Sequence, residues 1–163
     1  MTQAPPQPPA PMPPAAVTPP APPAPVIAAP APSTPVPPPA PALPSPAQFR
    51  EVAMLKSIHF DFDKSVIRPD AARILDANID WIKSNPQAAI LIEGHCDERG
   101  TNEYNIALGD RRARATMNYL AARGVSAARM TMISYGEERP VCTLRNEECW
   151  AQNRRAQFLA KIP

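Results

Sequence analysis

Not one of the first 49 residues carries a charge, and 21 of the chain's 25 prolines fall at or before Pro46. Proline has no backbone N–H to donate and its ring fixes φ, so a run this dense in Pro and Ala builds neither helix nor sheet ladder and is expected as extended polyproline II. The sequence therefore divides into a disordered Pro/Ala-rich tether over residues 1–49 and a folded domain over residues 50–163. Extended at ~3.1 Å per residue, the stretch up to Pro46 would reach roughly 140 Å. A ligand for proline-recognising domains needs a docking motif, which the monotonous run does not offer, so a spacer is the expectation. Met1–Pro14 shows neither the basic n-region nor the apolar h-region of a secretory signal. Nowhere is there an apolar run of about 18 residues, the length a membrane-spanning helix requires.

All 17 basic and 15 acidic side chains lie from Arg50 onward, in a length suited to one small domain with a single modest core. The net charge of +2 demands neither nucleic acid nor an anionic membrane. Ser57–Phe62 alternates, with Ile58, Phe60 and Phe62 on one face and His59 and Asp61 on the other, as a half-buried strand should. Pro69 and Asp70 suit a helix first turn; Ala72, Leu75, Ile79 and Ile82 then repeat at helical spacing until Asn85-Pro86. Ala88–His95 reads as a buried second strand, followed by the polar turn DERGTN. From Glu103 to Arg123 an apolar stripe of Ile106, Ala113, Met117 and Leu120 marks a second helix, stopped by Gly124. Met130–Tyr135 and Ala156–Ile162 give the third and fourth strands, with a cysteine-containing loop between them. The order βαβαββ predicts an α+β two-layer sandwich, a mixed four-stranded sheet with its helices on one face.

Cys142 and Cys149 sit seven positions apart in a polar loop. In an oxidising compartment they would form a disulfide; in a reducing one they would be two unrelated thiols. Cys96, at a strand end, is the odd one over. His59, His95 and the cysteines lack zinc-type spacing, and no cofactor is implied. Asp61 and Asp63 share a strand face but have no third ligand at suitable spacing. His95 and Cys96, adjacent on a strand, point to opposite faces and cannot pair as base and nucleophile. The arginines of DRRARATMNYLAARG suit a solvated helix face, and no aromatic platform accompanies them, which argues against nucleic acid.

The loop from Asp97 to Asn102 is the place to look for recognition, because side chains project freely between a strand and a helix. At ~100° per residue, Arg112 falls at the edge of the core-facing stripe, with Arg111 and Arg114 further toward solvent. Asp97 and Arg112 could then face one zwitterionic ligand, the carboxylate taking its ammonium and the guanidinium gripping its carboxylate. The alternative is that the two simply pair and tie loop to helix.

The string GHCDERGTNEYNIALGDRRA (Gly94–Ala113), with HFDFDKSVIRPDA before it and SYGEERP and NRRAQF after it, resembles the OmpA-like peptidoglycan-binding domain. More narrowly, DERGTNEYNIALGDRRA is similar to the peptidoglycan-associated lipoproteins (Pal). The resemblance runs from about Ser57 to Lys161 and leaves out the proline-rich part. It implies non-catalytic binding of the peptidoglycan stem peptide through diaminopimelate, whose free end is zwitterionic, rather than an enzyme. By motif position Asp97 would bind the diaminopimelate ammonium and Arg112 its carboxylate. Phe62, Asp63, Arg99, Thr101 and Leu108 would shape the pocket, with Arg154 contributing from the loop before the last strand. The resemblance also implies TolB and other Tol proteins as partners, a role in envelope integrity during division, and a place on the periplasmic side of the outer membrane. The alternative it allows is the same domain in a stator or signalling complex of the envelope. A Pal-type lipid anchor needs a cysteine at the end of a signal peptide, and no cysteine precedes Cys96. Membrane association is therefore expected only if such an anchor lies upstream.

Overall fold

The structure, a computed structural model, describes residues 6–15 and 45–163. Residues 6–15 are exposed and without regular secondary structure. The rest of the expected tether up to residue 44 lies outside the described residues. Regular structure starts before Arg50: Pro46–Gln48 form a 3-10 turn, and Phe49 is buried.

The elements that follow are β1 (Arg50–Glu51), β2 (Ile58–His59), α1 (Pro69–Ser84), β3 (Ala89–His95), α2 (Asn102–Ala122), β4 (Met130–Gly136), α3 (Glu147–Asn153) and β5 (Arg155–Lys161). The sheet runs β1-β5-β3-β4, with β2 also on the outer edge of β5. β3 is parallel to β4 and antiparallel to β5; β1 and β2 are antiparallel to β5 at its two ends. The fold is thus the expected mixed sheet with helices, but it has five strands. β1 is a two-residue pairing too short to leave a periodic signal.

One core lies between the helices and one face of the sheet. Leu75, Ile79 and Ile82 of α1 and Ala113 and Leu120 of α2 pack on Ile90 and Ile92 of β3 and on Ala156, Phe158 and Ala160 of β5. A fully buried Leu or Ile contributes about 1.5–3 kcal/mol. Period-2 alternation sends Leu91, Glu93, Arg155, Gln157 and Leu159 to the other face. Asn78 of α1 is fully buried. It holds the segment before β2 by accepting from the Lys56 N–H at 2.9 Å and donating to the Lys56 carbonyl at 2.8 Å.

Three expectations are corrected. The strand over Ser57–Phe62 pairs only at Ile58–His59. Phe60 still donates to the Arg154 carbonyl, but the chain then turns through Asp63, whose φ is +57°. Phe62 leaves the core as a result and is 54% exposed. The buried side of α2 is not the apolar stripe alone: Asn105, Leu108, Gly109, Arg112 and Thr116 are buried with Ala113 and Leu120, whereas Ile106 and Met117 are only partly so. Lastly, the cysteine loop contains a helix, α3. Asn146 caps it by accepting from the Cys149 N–H at 2.8 Å, and Glu147 and Glu148 sit in its first turn, where the helix dipole favours acids.

The polar side of α2 can be buried because its backbone comes unusually close to the sheet. A Cβ on Gly94 would lie 1.9 Å from the Gly109 carbonyl oxygen, and one on Gly109 would lie 2.2 Å from Ser134 Oγ. Cys142 and Cys149 are bonded, with Cα atoms 5.2 Å apart, and Cys96 is free and buried. No helix among the described residues is long and apolar enough to cross a membrane.

Candidate functional site

β3 leaves the sheet through a register shift at Gly94/His95, and the Cys96 N–H is tied to the Gly136 carbonyl at 2.8 Å. The chain then loops through Gly100, at φ +98°, a left-handed conformation that suits glycine. Thr101 closes the loop onto α2, its hydroxyl accepting from the Tyr104 N–H at 3.2 Å. Inside the loop, the Asn105 amide donates to the carbonyls of Asp97 (3.3 Å) and Arg99 (3.0 Å). A residue one turn into the helix thus fixes the loop's shape.

Between this loop, the start of α2 and the turn after β2 lies a cavity of about 250 Å³. Asp97, Arg99, Leu108 and Arg112 line it, with Phe62 and Asp63 from the opposite turn. Of the residues expected at the site, these six come together on one wall system. Thr101 is not on the wall and acts as the cap of α2. Arg154 is not on the wall either; it stands behind Asp97, 3.4 Å from its carboxylate. Tyr104 and Asn105 also line the cavity, and the Tyr104 hydroxyl donates to the Asp63 carboxylate across it.

Asp97 is only 4% exposed. Its Oδ1 accepts from the Arg99 backbone N–H (3.0 Å) and Nε (3.2 Å), and its Oδ2 from Arg99 Nη2 (2.8 Å) and Arg154 Nη1 (3.4 Å). Burial alone would raise its pKa, but the hydrogen bonds and charge of Arg99, helped by Arg154, hold it below the ordinary carboxylate value.

Arg112, expected at the edge of the core, is fully buried. It does not pair with Asp97. Its Nε donates to the Lys64 carbonyl (2.8 Å), Nη1 to that of His95 (2.9 Å) and Nη2 to that of Asp61 (3.1 Å). One side chain therefore ties the turn after β2, the end of β3 and α2 together, while two of its five N–H bonds are not spent on these carbonyls. Burial lowers its pKa from the usual arginine value and pushes the neighbouring Cys96 thiol up to about 11, which keeps that thiol protonated and inert.

α3 supplies the parts that motif reasoning missed. The Arg99 guanidinium lies over two rings, Phe62 (3.9 Å to the ring centroid) and Trp150 (4.2 Å). Trp150 Nε1 donates to Glu98 at 3.2 Å. Glu147 accepts from Arg154 Nη2 at 2.7 Å and lies 3.7 Å from Arg99 Nη2. The cap-and-acid pattern NEE marks the helix that carries them, but nothing local shows that it folds back onto Arg99.

The OmpA family matches residues 59–154, a span that includes every wall of this cavity. The chain belongs to the OmpA family. Among OmpA-family relatives, the peptidoglycan-associated lipoprotein of Brucella melitensis is 57% identical over 99 residues, 61% of this chain and 59% of the relative. That of Pseudomonas aeruginosa is 48% identical over 104 residues, 64% of this chain and 61% of the relative. The match thus spans about three fifths of these relatives' length. The crystal structure of the peptidoglycan-associated lipoprotein from Burkholderia pseudomallei superposes with a TM-score of 0.62 at 44% identity, covering 64% of this chain and 88% of that one. The C-terminal domain of Helicobacter pylori MotB reaches the same TM-score of 0.62 at 19% identity, which is a likeness of fold alone.

Proposed function

We propose that this OmpA-family chain is a non-catalytic anchor that holds the stem peptide of peptidoglycan through the free zwitterionic end of diaminopimelate. The observation that carries the reading is that a buried carboxylate, Asp97, and a buried guanidinium, Arg112, line one small cavity without pairing to each other. The ligand's ammonium goes to Asp97 and its carboxylate to the N–H bonds of Arg112 not spent on backbone carbonyls. Phe62, Asp63 and Leu108 form the surrounding wall. Stem-peptide binding needs no bond made or broken, so affinity rather than turnover is the quantity to measure.

The names of the similar proteins, peptidoglycan-associated lipoproteins, support a place in the cell envelope. The periplasmic side of the outer membrane, attachment by a lipid if an anchor lies upstream, and Tol proteins such as TolB as partners follow from the Pal resemblance alone. The test is co-sedimentation of the full chain with purified peptidoglycan. Asp97→Asn should lower the affinity at least about tenfold, as expected for loss of a buried charged contact. Arg112→Lys keeps the charge but loses the fork and should weaken binding by a similar factor. Thermal unfolding of each variant separates lost binding from lost folding. Equal pelleting by folded wild type and Asp97→Asn overturns the reading.

A further inference from the structure

Asp97 is already fully used in the free protein. A carboxylate offers about four lone-pair positions, and Arg99 takes three of them while Arg154 takes the fourth. An incoming ammonium would meet two guanidinium groups and no free acceptor, so one arginine must give way. Arg154 is held on three sides, by the Phe60 carbonyl at 3.0 Å, by Glu147 and by Asp97, and its side chain is only 7% exposed. The Arg99 side chain is 31% exposed and is held, apart from Asp97, by the aromatic rings of Phe62 and Trp150 and by a long ion pair with Glu147.

We propose that Arg99 is a displaceable latch on Asp97 and that Glu147 receives it when the ligand ammonium arrives. The proposal rests on the stem-peptide reading above and assigns Glu147 and Trp150 as positioning residues for that same site. The two aromatic contacts allow the motion, because a cation is attracted to a ring anywhere within about 6 Å of its centroid, and contacts of 3.9 and 4.2 Å survive a small shift. Glu147 Oε2 lies 3.7 Å from Arg99 Nη2, so a shift of about 1 Å makes a full charge-assisted hydrogen bond. Glu147 meets it with Oε2, since Oε1 is the oxygen that takes Arg154, and its side chain is 65% exposed. The zwitterionic end adds no net charge, since its carboxylate goes to Arg112 as its ammonium goes to Asp97. Asp97 and Glu147 face Arg99 and Arg154 before binding; afterwards the ammonium and Arg154 share Asp97, and Arg99 shares Glu147 with Arg154. Without Glu147, Arg99 leaves Asp97 for water alone.

A double-mutant cycle on the full chain tests this, with a muropeptide carrying a free diaminopimelate end as the probe. Glu147→Gln should weaken binding roughly three- to fivefold, the upper part of the range of an exposed charged contact. The same change in an Arg99→Gln background should weaken it less than about twofold, because the latch is gone. Equal losses in both backgrounds would assign Glu147 to Arg154 and the fold, and no loss in either would remove its role; both overturn the proposal. The Arg99 Nε–H resonance gives a second reading that does not depend on the variants. It should move on saturation of the wild type with the muropeptide, and an unmoved resonance at saturation overturns the proposal. Wild type that binds no muropeptide removes the functional reading and the latch with it. Wild type that binds while the cycle shows no coupling removes the latch alone.

Discussion

Arg112 and Gly94 show how far single residues were legible. Motif and wheel position single out Arg112 but not its burial, since a wheel records polarity and the tertiary fold supplies three carbonyls for the guanidinium to satisfy. Gly94 gave no periodic signal. Its requirement is set by α2, whose Gly109 carbonyl stands where a Cβ would be, 1.9 Å away. That atom is backbone and cannot step aside as a flexible side chain could. Gly94→Ala should therefore destabilise by about 1–3 kcal/mol or more, seen as a lower urea midpoint with an unchanged m-value. A midpoint equal to wild type would mean that α2 can lift off β3 without cost.

Among the elements, α3 and β1 leave little in the sequence by which to expect them, for different reasons. β1 is two residues long and exists only because β5 offers an edge. α3 carries a legible cap, Asn146, but its seven residues are too few for an isolated helix to be stable in water, and the Cys142–Cys149 bond and packing of Trp150 hold it. Closing so short a loop contributes roughly 2–3 kcal/mol in the chain-entropy model. Cys142→Ser should lower the denaturation midpoint accordingly and weaken stem-peptide binding, because Glu147 and Trp150 ride on this helix. Thiol counting supports the assignment if non-reducing denaturation releases one thiol per chain, that of Cys96. Three would show that the bond is absent.

Across the whole molecule, acid should act in two stages of the same sign. Burial first, partly offset by the Glu93 hydrogen bond, keeps His95 below its ordinary value of 6.5, and the ring is 1% exposed. The unfolded chain therefore takes up a proton that the folded one refuses. Stability is fully present above about pH 6.5 and falls below it, by at most about 1.4 kcal/mol per pH unit for this group. Asp97, held below 3.8 by Arg99 in spite of its burial, adds a further loss only as the pH drops below about 4. Urea midpoints at about pH 7.5, 5.5 and 3.5 should fall at each step, and His95→Gln should reduce the first step alone, leaving the part due to His59, whose pKa burial also lowers. A wild-type midpoint unchanged between about pH 7.5 and 5.5 would contradict the His95 assignment.

The sequence by itself determined the helix spans of α1 and α2, the three long strands, the α+β class and the pairing of Asp97 with Arg112 as site candidates, because period, caps and motif are local properties that survive without a fold. Only the tertiary structure decided the rest: that Phe62 turns outward to meet Arg99, that Arg112 is a buried tie as well as a site candidate, and that Glu147 and Trp150 close on the same arginine. These depend on which surfaces meet when β5 inserts beside β3, and no stretch of sequence carries that information alone.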